Sequence, residues 1–134
     1  QASGDWTHTG DEWYLGDPST GNYDFGRQVF GRLESPPVDL SAFDEPYIIW
    51  DHILDVESGS DYDRAHLEIS EDGFATVTTI WEKNTTGDAY AIDFAYLDAY
   101  AGKTVQFAFV FDSIDEAENS STGWKLSTVL VDSE

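Results

Sequence analysis

The sequence predicts an all-β sandwich, and three observations carry that prediction. Runs rich in β-branched and aromatic residues recur along the chain, turn chemistry separates them, and no segment carries a 3.6-residue apolar period. With 134 residues the chain fits a single domain, 1–134, built around one core. A composition that is 40% hydrophobic and 15% aromatic is too apolar for intrinsic disorder.

Taken in order, the first feature is YLGDPSTGNYDFG, Tyr14 to Gly26. Its glycines, proline and aspartates are too turn-rich for a helix, and its aromatic flanks are too apolar for a loose tail. Next, GRLESPPVDLS reads as a strand ending at Ser35. Pro36 and Pro37 cannot donate to a ladder, so they mark a sheet edge or a crossing between sheets.

Five longer segments read as strands: EPYIIWDHILDVE (45–57), RAHLEIS (64–70), FATVTTIWE (74–82), KTVQFAFVFDS (103–113) and WKLSTVLV (124–131). The turns SGSD, EDG, NTTGD, DAYAGK and ENSSTG separate them, and the expected total is eight or nine strands. Alternation in TVQFAFVF places Val105, Phe107, Phe109 and Phe111 on one face, expected to pack the core. In IIWDHILDVE both faces are mixed, so alternation leaves its core side open.

Composition removes several function classes. Twenty-seven acidic against six basic residues give a formal net charge of −21, which repels phosphate backbones and anionic lipid. High-salt adaptation, a calcium-rich exterior or simple solubility each account for such an excess. Without cysteine there is no disulfide or thiol chemistry. No run approaches the 18 or so apolar residues of a membrane helix, so no membrane insertion is expected. The chain contains no methionine and is read as a mature protein or a domain excised from a larger secreted or surface protein.

Catalytic signatures are also missing. His8, His52 and His66 are scattered, with no His-Glu-x-x-His pattern for zinc. There is no nucleophile elbow, and GDPSTG lacks the lysine of a phosphate-binding loop. Among so many acids some carboxylates will lie close together by chance, so an enzyme, glycan-active or otherwise, is not the expected reading. The sequons at Asn84 and Asn119 read as turn residues.

Two acidic loops remain, Asp55–Asp63 and Asp112–Asn119, whose hard oxygen ligands suit Ca²⁺. Neither is an EF-hand, because Ala117 and Gly123 stand where the Gly and Glu belong. On composition alone, solvated acidic turns are the competing reading. Aromatic residues offer a second possibility. Tyr14, Tyr62, Trp81 and Trp124 are the candidates for stacking on sugar rings or anchoring a protein partner, against the alternative of core packing.

Together the segments DWTHTG, EWYLGDPSTGNYDFG, GRLESPPVDLS, YDRAHLEISEDG, DAYAGKTVQFAFVFDSID and STGWKLSTVLV resemble the MAM-like jelly-roll domains of bacterial secreted proteins. The relatives meant are the cleaved-adhesin, choice-of-anchor J and immune-inhibitor-A C-terminal types. The resemblance spans roughly residues 5–131 and implies a jelly-roll β-sandwich of two antiparallel sheets, with Trp13 and Tyr14 anchoring the glycine-rich loop.

It further implies a non-catalytic, calcium-stabilised accessory module, secreted or at the cell surface. Its implied role is adhesion or targeting to a glycan or an extracellular protein, as a monomer beside neighbouring domains; a spacer next to a secreted protease is the alternative. The implied calcium ligands are Glu57, Asp61 and Asp63 with Asp112 and Asp115, brought together because DHILDVE and VQFAFVFDS share a sheet in the resembled fold. Two departures stand out. GWKLST places Ser127 and Thr128 where relatives carry two aspartates, and the sequence as given does not begin with the extra N-terminal strand containing Phe-Glu or Phe-Asp that many relatives carry.

Overall fold

A computed structural model describes residues 2–9, 12–23, 25–55, 64–83, 88–113 and 123–133. Its strands are β1 (Ala2–Gly4), β2 (Trp6–Thr9), β3 (Glu12–Leu15), β4 (Phe30–Glu34), β5 (Val38–Asp39), β6 (Pro46–Asp55), β7 (Arg64–Ser70), β8 (Thr78–Glu82), β9 (Asp88–Tyr96), β10 (Thr104–Asp112) and β11 (Gly123–Ser133). A front sheet runs β1-β4-β10-β7-β8 with β5 added along β10, and a back sheet runs β2-β3-β11-β6-β9. Every pairing is antiparallel. The expected jelly-roll sandwich of two antiparallel sheets is what the chain forms.

The two faces of β10 explain its place in the front sheet. Val105, Phe107, Phe109 and Phe111 are all buried against the back sheet, as their alternation predicts. From the back sheet β6 contributes Ile48, Trp50, His52 and Leu54 and turns Tyr47, Ile49, Asp51 and Ile53 outward. Its pattern looks mixed because a histidine sits among the core residues. Trp6, Trp50, Trp124 and Phe109 interlock there with ring centroids 5.4–5.8 Å apart, spacings at which edge-to-face contact adds to burial.

One expectation changes, and one pair of alternatives is resolved. DHILDVE and VQFAFVFDS do not share a sheet: β6 belongs to the back sheet and β10 to the front. The physical reason is that each is buried on one aromatic face, and the two faces pack on each other across the core. The Pro36–Pro37 pair marks an edge but no crossing. β4 ends at Glu34, the Ser35 hydroxyl accepts the Phe107 N–H at 2.8 Å, and β5 resumes along the same strand β10. A side-chain acceptor thus replaces part of the ladder where proline interrupts it.

The Tyr14–Gly26 stretch is structural. Asp17 Oδ1 accepts the Ser19 N–H at 2.9 Å and the Ser19 hydroxyl at 2.7 Å, and Asp17 bridges to Asn22. The loop delivers Tyr23, fully buried, edge-on to Phe111 at 5.7 Å. Where β11 begins, Gly123 has φ +111° and lies against the Leu15 carbonyl, where a Cβ would collide with backbone.

Candidate functional site

Alternation along β4, β10, β7 and β8 builds the solvent face of the front sheet. Asp112 is paired with Phe30 on one side and with Arg64 on the other, and Val110 is paired with Arg32 and His66. His66 in turn faces Glu82. These rows surround a hollow of about 430 Å³ whose wall includes Phe30, Arg64, His66, Glu82, Lys83 and Asp112.

One flank of the hollow is fixed by charge pairs. Arg32 donates from Nε to Glu34 and from Nη1 to Glu68, each at 2.8 Å, and His66 Nε2 lies 2.8 Å from the second Glu68 oxygen. Burial alone would raise the Glu68 carboxyl, but the bonds from His66 and Arg32 outweigh it and hold the group below its ordinary value. The Arg32 guanidinium also lies over the Phe74 ring, 4.7 Å from its centroid. The Glu68 carboxylate therefore stays ionised and orients both the Arg32 guanidinium and the His66 ring.

Gln28 Nε2 donates to Asp112 Oδ1 at 2.7 Å. Arg64 is exposed and has no carboxylate partner among the described residues, although the chain holds 27 acidic side chains. Phe30 is 46% exposed beside it. An apolar ring, a planar cation with several donors and two carboxylates thus converge on one concave surface.

Few of the sequence-predicted residues lie there. Asp112 does, whereas Glu57, Asp61, Asp63, Asp115 and Tyr62 fall outside the described residues. Arg64, the first residue of β7, is the ladder partner of Asp112. Among the described residues no group of three or more His, Asp or Glu side chains is close enough to hold a metal ion.

The proposed aromatic anchors are placed differently. Tyr14 and Trp124 are buried, with no ring face left for a sugar, because one packs under Lys125 and the other in the core. Trp81 is half-buried, its ring 5.4 Å from Trp50 and 5.9 Å from Trp124. The structure therefore unites Trp81 and Trp124 in the core aromatic cluster. Sequence reasoning missed Phe30, Arg64, His66, Glu82 and Lys83. The available signal was the period-two row Arg64, His66, Glu68, which presents three charged or titratable groups on one face of a strand.

The solvent face of the back sheet has the opposite character. Ile92, Phe94 and Tyr96 on β9 and Leu130 on β11 are 63, 54, 58 and 50% exposed. Phe94 faces Ile49, which faces Leu130, so the four residues form one apolar band.

No family model and no curated protein matches the sequence. Solved structures do match in fold. A CBM61 module in complex with β-1,4-galactotriose superposes with TM-score 0.58 at 12% identity, over 100% of this chain and 88% of that one. The C-terminal CBM6 module of a marine laminarinase from Zobellia galactanivorans gives 0.52 at 11% identity, over 98% and 90%. The K3 cleaved-adhesin domain of Lys-gingipain from Porphyromonas gingivalis gives 0.50 at 13% identity, over 80% and 66%. The chain therefore has the jelly-roll fold that carbohydrate-binding modules share with cleaved-adhesin domains.

Proposed function

We propose that this chain is a non-catalytic glycan-binding module of a secreted or surface protein, and that it holds an uncharged oligosaccharide in the hollow on the front sheet. The observation that carries this reading is the meeting of exposed Phe30 with Arg64, Glu82 and Asp112 on one concave wall. A sugar ring needs an apolar face for its C–H groups and both donors and acceptors for its hydroxyls, and the wall supplies all three. A net charge of −21 disfavours polyanionic glycans, so the ligand is neutral.

Calorimetric titration against neutral gluco-, galacto- and xylo-oligosaccharides tests the reading. Arg64→Ala is expected to weaken binding by about 10- to 100-fold, the weight of a hydrogen bond to a charged group. Phe30→Ala is expected to weaken it as well, with the fold unchanged. Binding that survives both substitutions, or no binding to any neutral glycan, refutes it.

Calcium stabilisation is carried into the proposal from the sequence, with Asp112 as its one described ligand. Exhaustive chelation is expected to lower the melting temperature by several degrees, and excess Ca²⁺ to restore it, because the ion would bind only the folded chain. Asp112→Ala should abolish the response. A melting temperature indifferent to chelation removes calcium from the account.

A protein partner is the second reading, favoured by the apolar band of Ile92, Phe94, Tyr96 and Leu130. On that reading the back face adheres to an extracellular protein or to a neighbouring domain, and Phe94→Ser abolishes adhesion while leaving glycan binding intact.

A further inference from the structure

The interior of the sandwich is open on one side. A one-residue β-bulge at Ser127 resets the pairing of β11, so that Val129 and Val131 stand opposite Trp50 and Ile48 and face inward with them. Yet Val129 is 47% exposed. The space in front of it is a cleft of about 670 Å³ between the sheets, walled by Leu33, Phe107 and Phe109 from the front and by Leu126, Val129 and Val131 from the back.

That volume lies within the range of sites for small organic ligands, and its walls are mostly apolar. Water held against such walls would lack hydrogen-bond partners, so an apolar guest gains what the solvent loses. The polar groups of the lining include Ser127 and His8, whose ring lies 4.7 Å from that of Trp13. Among the described residues no lysine or arginine contributes to the lining, and the one carboxylate in it, Glu34, is already bound to Arg32.

We infer that this inter-sheet cleft is a binding site for an uncharged, elongated apolar molecule with a single hydroxyl-type head, such as a long-chain alcohol. The tail lies between Phe107, Phe109 and the valines, and the head meets Ser127 or His8 at the rim. An acid of the same length is excluded, because its carboxylate would enter without a counter-charge and against a net charge of −21. The site is separate from the front-face hollow and stands or falls independently of glycan binding.

The test uses 11-bromoundecan-1-ol and 11-bromoundecanoate at pH 8, below their micelle concentrations, with quenching of tryptophan emission as the readout, since Trp13 lines the cleft. The alcohol is expected to quench saturably and at least 10-fold more tightly than the carboxylate. Val129→Trp and Val131→Phe fill the cleft from the exposed side, and each should weaken the alcohol by 10-fold or more while circular dichroism shows the fold retained. No saturable quenching by the alcohol overturns the site. Equal affinity for alcohol and carboxylate overturns the choice of ligand, and unchanged affinity in whichever filled variant folds overturns the location.

Discussion

Trp124→Ala is expected to lower the free energy of unfolding by about 3–5 kcal/mol, the range for deleting a buried aromatic side chain. Trp124 is completely buried and touches Trp6, Trp81 and Phe109 through ring contacts of 5.4–5.9 Å. It also donates from Nε1 to His52 Nδ1 at 2.9 Å. An indole N–H can only donate, so His52 Nδ1 accepts and its Nε2 carries the proton toward Asp93 Oδ2, 2.8 Å away. Alanine removes the packing and leaves a buried acceptor unmet.

Trp124→Phe separates the two contributions, since it keeps most of the volume and still orphans His52, at about 1–3 kcal/mol. Urea unfolding of both variants measures the difference. For a domain whose whole stability is on the order of 5–15 kcal/mol, the alanine variant should be largely unfolded at modest denaturant. A loss under 1 kcal/mol for Trp124→Ala would show that this cluster does not hold the sheets together.

Thermal stability is expected to peak on the acid side of neutrality, near pH 5, and to collapse between about pH 4 and pH 2. Two effects of opposite sign set the peak. From pH 7 downward, protonation begins to relieve the mutual repulsion behind the net charge of −21. Lower still, carboxylates that the fold holds ionised must take protons.

Asp72 is held at about 2 by the Thr76 hydroxyl, the Thr76 N–H and the Ser70 hydroxyl. Glu68 lies below its ordinary value for the reasons given above, and Asp5 does so because the Arg27 guanidinium and the Phe30 N–H outweigh the raising effect of its burial. A carboxyl depressed on folding contributes stability that is complete above its unfolded value, about 4, and is lost as the pH falls through the folded one. Added salt acts on the first effect alone, so 1 M NaCl should raise the melting temperature at pH 7 and shrink the gain on going to pH 5. Equal melting temperatures in 0.05 and 1 M NaCl at pH 7, or a peak above pH 7, would contradict this account.

How much of this was legible depended on whether a residue's partners were near in sequence. The core face of β10 could be read because Val105, Phe107, Phe109 and Phe111 alternate without interruption. β9 was missed because its inward positions include Asp93 and Ala95 while Ile92, Phe94 and Tyr96 face solvent, the reverse of the usual pattern. Trp124 looked like a candidate ligand anchor because nothing local reveals that its N–H is matched to a histidine 72 residues earlier. The hollow was hidden for a similar reason. Phe30 and Asp112 are neighbours only through the β4–β10 register, and the lack of a carboxylate partner for Arg64 among the described residues shows only once its surroundings are known.

The bulge in β11 bears on how this strand can change length. Deleting a residue from a paired strand normally exchanges its two faces from that point on. Removing Lys125 would do so, pushing one flank of the strand out of register with its core side chains. Removing Ser127 would not, because Leu126, Thr128, Val129, Leu130 and Val131 would then alternate in the orientations they already hold. Ser127 is therefore a position at which β11 can lose a residue and keep both faces, with the local bend, and hence the separation of the sheets beside it, as the property that varies.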